Sequence, residues 1–130
     1  MNDFYLATDL RGLSQYPLSA PNVSGWPRGD QWLGATSLLT WSSLAGRMAL
    51  NSFTWDGIPG SSVCPTVTRL FSEGPASTAP DRLLAFAGLD NASAQTRAQL
   101  ADYAASGAWS PARAGGLIHL LLLSPEFLAC

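Results

Sequence analysis

Residues able to carry chemistry are few in this chain and widely spaced. His119 is the only histidine, and it stands among Leu117, Ile118, Leu120 and Leu121. A histidine serves as a general base when a carboxylate orients its ring, and here only acids from distant segments could do so. A helical histidine with apolar neighbours is read instead as a hydrogen-bonded core or interface residue. Asp30, Asp56, Asp81, Asp90, Asp102 and Glu126 are scattered along the chain. Glycoside hydrolysis needs two carboxylates at a set separation, which scattered positions do not define. Asp81 and Glu126 each follow a proline near an expected helix start, where capping of free N–H groups and the helix dipole account for a negative side chain. No serine lies in a G-x-S-x-G elbow, so a Ser/His/Asp reading has no anchor. No catalytic residue is assigned.

Cys64 and Cys130 are the only cysteines, and neither belongs to a CxxC or His/Cys cluster. No metal site is therefore expected, and no cofactor motif is present. In an oxidising compartment the two could form a disulfide tying the C-terminal residue to the loop Ser61–Pro65; the alternative is two unrelated thiols.

The enrichment that points to binding is aromatic. Five tryptophans occur in 130 residues. Two of them lie in Pro21-Asn22-Val23-Ser24-Gly25-Trp26-Pro27-Arg28-Gly29-Asp30-Gln31-Trp32, a segment whose prolines fix φ and whose glycines admit conformations closed to other residues. Trp26, Trp32 and Trp55, with Arg28 beside them, lie in or next to loops. They could stack on sugar rings or on a partner; the favoured reading is that Trp26 and Trp32 fold the loop back onto the helices. Trp41 falls on the apolar face of a helix and is read as core.

These residues must be positioned by a small chain, long enough for one domain and too short for two. Charged residues make up 12%, against roughly 25% in typical soluble domains. Ser, Thr, Gly and Pro take their place, a surface suited to an extracellular protein or to one largely covered by a partner. The net charge is -2, with seven Arg and no Lys, so the electrostatic footprint for nucleic acid is missing. So is a polybasic run to hold an anionic membrane. Leu117–Leu123 is the most apolar run, far short of the roughly 20 residues of a membrane span, and is expected to be a core helix. Met1–Tyr5 has neither a basic n-region nor a long apolar stretch, so no secretory signal is read there.

Helical spacing recurs along the chain. Phe4, Leu6, Ala7, Leu10 and Leu13 suit a helix over residues 2–13. Leu38, Trp41, Leu44, Ala45 and Met48 share one face of a helix over residues 36–51, with Thr40, Ser43 and Arg47 opposite. Residues 52–65 read as a loop, and 66–72 as a short helix. Thr78-Ala79-Pro80-Asp81 resembles a helix start with a threonine cap. Leu83, Leu84 and Ala87 form its buried side, and Gly88 is its stop. A further helix covers 92–106, with Leu100 and Tyr103 as its larger contacts. Ser110-Pro111 opens the last long one, to Ser124. Within it Gly115-Gly116 costs about 1 kcal/mol per glycine relative to alanine, and a neighbouring backbone packed close against that face is the expected compensation. Ser124-Pro125-Glu126 repeats the cap-then-proline device. No alternating strand pattern appears. The class is all-α: a bundle of about four to six short helices with a long Pro/Gly/Trp-rich loop near the N-terminus.

Two motifs carry a family resemblance. Leu13-Ser14-Gln15-Tyr16-Pro17-Leu18, then Pro21-Asn22-Val23-Ser24-Gly25-Trp26-Pro27, Gly29 and Trp32, resemble the signature GQPLF-PPNVKGWPGG-W of the bacterial family called domain of unknown function 1800. Leu121-Leu122-Leu123-Ser124-Pro125-Glu126-Phe127 resembles its closing LLxSPEF, and Thr36-Ser37-Leu38-Leu39 stands where the family begins a helix with STxLL. Ser14 replaces the family's glycine before the glutamine, and Ala20 replaces a proline. The resemblance implies that residues 1–130 form a single helical domain, the C-terminal portion of a longer exported bacterial protein. It supplies no catalytic residues. Two functions follow as expectations. The first is a non-catalytic helical module that docks on a protein partner, either the upstream part of the same protein or another subunit. The second is part of an enzyme or binding protein for extracellular or cell-surface polymer, with Trp26, Trp32, Trp55 and Arg28 lining a cleft.

Overall fold

The computed structural model of the chain describes residues 10–15, 20, 22–24, 34–50 and 65–129. Its helices are α1 (Ala35–Ala49), α2 (Pro65–Ser72), α3 (Ala79–Phe86), α4 (Ala94–Ala105), α5 (Pro111–Leu122) and α6 (Pro125–Leu128), with a 3-10 turn over Ala76–Thr78 running into α3. Residues 10–12 are also helical, the described end of the helix expected over residues 2–13, and no strand occurs among the described residues. The all-α expectation holds, and the helix bounds agree with the sequence reading to within about two residues.

Serine–proline pairs start helices as expected. The Ser110 hydroxyl accepts from the Arg113 N–H and opens α5, and the Ser124 hydroxyl accepts from the Phe127 N–H and opens α6. Proline in the first turn costs nothing there, because its missing N–H would lack a helical partner anyway. Gly88 ends α3 with φ +70°. The Gly88 N–H donates to Ala85 O and the Leu89 N–H to Leu84 O, which closes the C-terminal carbonyls and tucks Leu89 into the core.

One start differs. Thr78 makes no side-chain cap; its hydroxyl donates back to Pro75 O. The 3-10 turn enters α3 with Thr78 already near helical dihedrals (φ -101°, ψ -7°), and the extended backbone that a capping side chain needs is lost.

α5 is the central element, in contact with each of the other five helices. Leu117 on α5, Leu84 on α3 and Val67 on α2 are the largest side chains wholly withdrawn from solvent. Around them Leu70, Leu83, Leu100, Ala104, Ala114, Ile118 and Leu121 complete one core. The expected close approach at the glycine pair is present. A Cβ on Gly115 would lie 2.6 Å from Ala49 O of α1, and a Cβ on Gly116 would collide with the Tyr103 hydroxyl of α4. Both helices therefore reach α5 only because side-chain bulk is missing there.

Charge is spent on tying ends together. Arg82 Nη2 donates to Leu70 O and Pro75 O, at 3.2 and 3.4 Å. Arg97 donates to Asp90 O and Ala92 O and pairs with Asp81 at 3.2 Å. Arg113 donates to Tyr103 O and the Ser106 hydroxyl, with its guanidinium 4.8 Å over the Tyr103 ring. These cations hold backbone oxygens at helix ends and turns.

Candidate functional site

Trp26, Trp32, Trp55, Arg28, Cys64 and Cys130 lie outside the described residues, so the Trp-lined cleft and the disulfide stay expectations. Among the described residues, no group of three or more His, Cys, Asp or Glu could hold a metal ion. Nor is any described helix long and apolar enough to cross a membrane.

His119 links two helices. Its Nε2 lies 3.1 Å from Ser42 O of α1, and in the tautomer with hydrogen on Nε2 it donates there. The ring packs where a Cβ on Gly46 would come within 3.2 Å of it. The interface role read from sequence thus has a geometry. Trp41 lies half-buried at the seam between α1 and the C-terminal helices. Its Nε1–H donates to Leu122 O at 2.8 Å, and its ring stacks on Phe127 with centroids 6.2 Å apart.

The two acids expected at helix starts do lie in the first turns of α3 and α6, and their side chains also reach across to the α4 region. Asp81 faces Arg97 on α4. Glu126 closes the start of α4, over 30 residues earlier in sequence: it accepts from the Ser93 N–H at 3.0 Å and from the Thr96 hydroxyl at 3.0 and 2.9 Å. The Ser93 hydroxyl meanwhile accepts from the Thr96 N–H. Hydrogen bonding from the Ser93 side chain, then from the Ser93 and Glu126 backbone N–H groups, holds the Glu126 carboxyl at about 2, below its ordinary 4.5. This cluster accounts structurally for the glutamate of the SPEF segment, and the cap that Ser124 gives α6 accounts for its serine.

Among the described residues, a concave surface lies where α1, α2, α3, α5 and α6 converge. An apolar cavity of about 230 Å³ is walled by Met48, Phe86, Ala87, Leu122 and Phe127, among others. A second cleft of about 310 Å³ adjoins it across Thr66, Leu83 and Phe86 and adds Arg69, Glu73, Arg82 and Ala85. Phe86 is 64% exposed and Met48 46%. Met48, expected on the buried face of α1, is instead exposed at the mouth of this cavity. Ala49, beside it, takes the contact with α5. Sequence reading missed Phe86 as well. Its signal was a large aromatic one position off the face defined by Leu83, Leu84 and Ala87. Glu73, the carboxylate of the second cleft, is engaged by Arg69 at 2.7 Å. The arrangement can receive apolar and anionic groups, and its described walls assemble no acid–base pair.

The fold and this surface together define an all-α helical module with an open apolar groove. Residues 3–129 match the family described as Protein of unknown function (DUF1800), and the chain belongs to it. No curated protein and no solved structure matches the chain.

Proposed function

We propose that the chain is a non-catalytic interaction module, a single helical domain that docks on a larger exported protein as its C-terminal portion or as a separate subunit. The observation that carries this reading is the open groove, with Phe86 and Met48 at its mouth. Exposed large apolar side chains that line a common concavity mark a contact surface, whereas the same residues scattered singly would not. Leu39 on α1, Leu50 just after it and Leu120 on α5 are exposed too, and the low charge of the chain leaves little to keep such a surface in water.

Site-specific photo-crosslinking in the source organism tests the reading. A photoreactive phenylalanine analogue in place of Phe86 is expected to yield one discrete adduct, and the same analogue at the exposed Gln99 of α4 none. Equal labelling from both positions, or none from either, would reject a docking role for the groove.

A further inference from the structure

We infer that the groove recognises a peptide segment carrying a bulky apolar side chain with a carboxylate within one helical turn of it. This rests on the docking role proposed above and names the chemistry of the partner.

The apolar half sets the first requirement. A cavity of roughly 150 Å³ lined by aliphatic and aromatic side chains takes up benzene; this one, at about 230 Å³ and open at Phe86 and Met48, admits a phenyl or branched aliphatic group. The adjoining cleft sets the second. It contains two cations, Arg69 and Arg82, and one anion, Glu73. Glu73 is already engaged by Arg69, and the nearby Asp81 faces Arg97. Among the described residues Arg82 has no carboxylate partner. Its Nε and Nη1 are buried without an acceptor, and Nη2 alone reaches two carbonyls at long range.

A buried donor without an acceptor costs free energy, and hydrogen bonds to an ionised partner are about twice as strong as neutral ones. The guanidinium lies close to Gly74, where a Cβ would come within 3.3 Å of Cζ. Swinging it toward the cleft surrenders two long carbonyl contacts and gains a bidentate pair with an incoming carboxylate. The apolar anchor and this carboxylate would both lie against Phe86, which lines the two cavities together with Thr66 and Leu83.

The test uses the whole chain and two probes of equal apolar bulk, 4-phenylbutyrate and 4-phenylbutylammonium, titrated at neutral pH while amide and arginine Nε–H resonances are followed by NMR. The carboxylate is expected to bind about tenfold more tightly, although the chain's net charge of -2 favours the cation. It should shift the Phe86 amide and the Arg82 Nε–H. Phe86→Ala, at an exposed position, should weaken both probes, and Arg82→Gln should abolish the preference. If Arg82→Gln does not fold, the Arg82 Nε–H shift in the unaltered chain decides. Equal affinity for the two probes overturns this inference and leaves the docking face standing; binding of neither overturns both. Dimerisation through the groove, seen as probe binding lost with rising protein concentration in sedimentation runs, would make a second copy the occupant and also overturn it.

Discussion

Residues 65–129 and helix α1 are built on different plans. In the C-terminal part, side-chain caps start α4, α5 and α6, Gly88 closes α3, and three arginines hold the carbonyls at helix ends and turns. α1 begins at Gly34 with no side-chain cap and no acid in its first turn. What holds it is contact: Ala49 on Gly115, Ser42 on His119, and Trp41 on Leu122 and Phe127. Just upstream, Ser14 adopts φ +57°, a left-handed conformation that costs a non-glycine residue about 1–2 kcal/mol. This is the position at which the resemblance led one to expect glycine. One region is thus secured at its helix ends, where polar groups are locally satisfied, and the other, among the described residues, by close packing and two hydrogen bonds to α5. Loss of a single contact should separate the two.

The largest change should come from the shared core. Leu117→Ala removes a wholly buried side chain from the core that also includes Ala49 of α1 and is expected to cost about 3 kcal/mol, lowering the urea midpoint for α1 and α4 together. Gly115→Ala should instead break the regions apart. The new Cβ would meet backbone, which cannot rotate away, for a net loss of about 2 kcal/mol. Amide exchange should accelerate in α1 before it does in α4. Uniform acceleration would mean the two unfold as one.

Ser93→Ala should cost about 1 kcal/mol, confined to the C-terminal region and read from the thermal midpoint. The neighbouring carboxylate gives that region a pH signature. Glu126 is held at about 2 in the folded chain against 4.5 ordinarily. Its stabilisation is therefore complete above 4.5 and is lost as pH falls from there toward 2, where the unfolded chain takes up a proton the folded one refuses. Glu126→Gln should flatten that part of the acid limb in a plot of stability against pH. The smallest effect has the opposite sign. Ser14→Gly should stabilise the N-terminal region by about 0.5–1 kcal/mol, seen as a slightly raised urea midpoint.

Much of this fold was legible in sequence because its signals are local. Ser110-Pro111, Ser124-Pro125 and Gly88 act within one turn of themselves, and Gly115-Gly116 announced a close neighbour without saying which one. What was not legible shares a cause. Thr78 lost its cap to the turn before it, while Asp81 and Glu126 found partners on α4 that no spacing reveals. The groove was invisible for the same reason: Met48, Phe86 and Phe127 belong to three helices and meet only in the folded chain.

The arginine ties bear on how this chain meets a protease. Trypsin-like enzymes draw an extended basic side chain into a deep acidic pocket, and with no lysine in the chain only arginines qualify. Between residues 65 and 129 the cleavable bonds follow Arg69, Arg82, Arg97 and Arg113, each within a helix and each with at least one guanidinium nitrogen hydrogen-bonded. Scission in this stretch has to wait for a helix to open, so the rate of tryptic nicking there reports local unfolding.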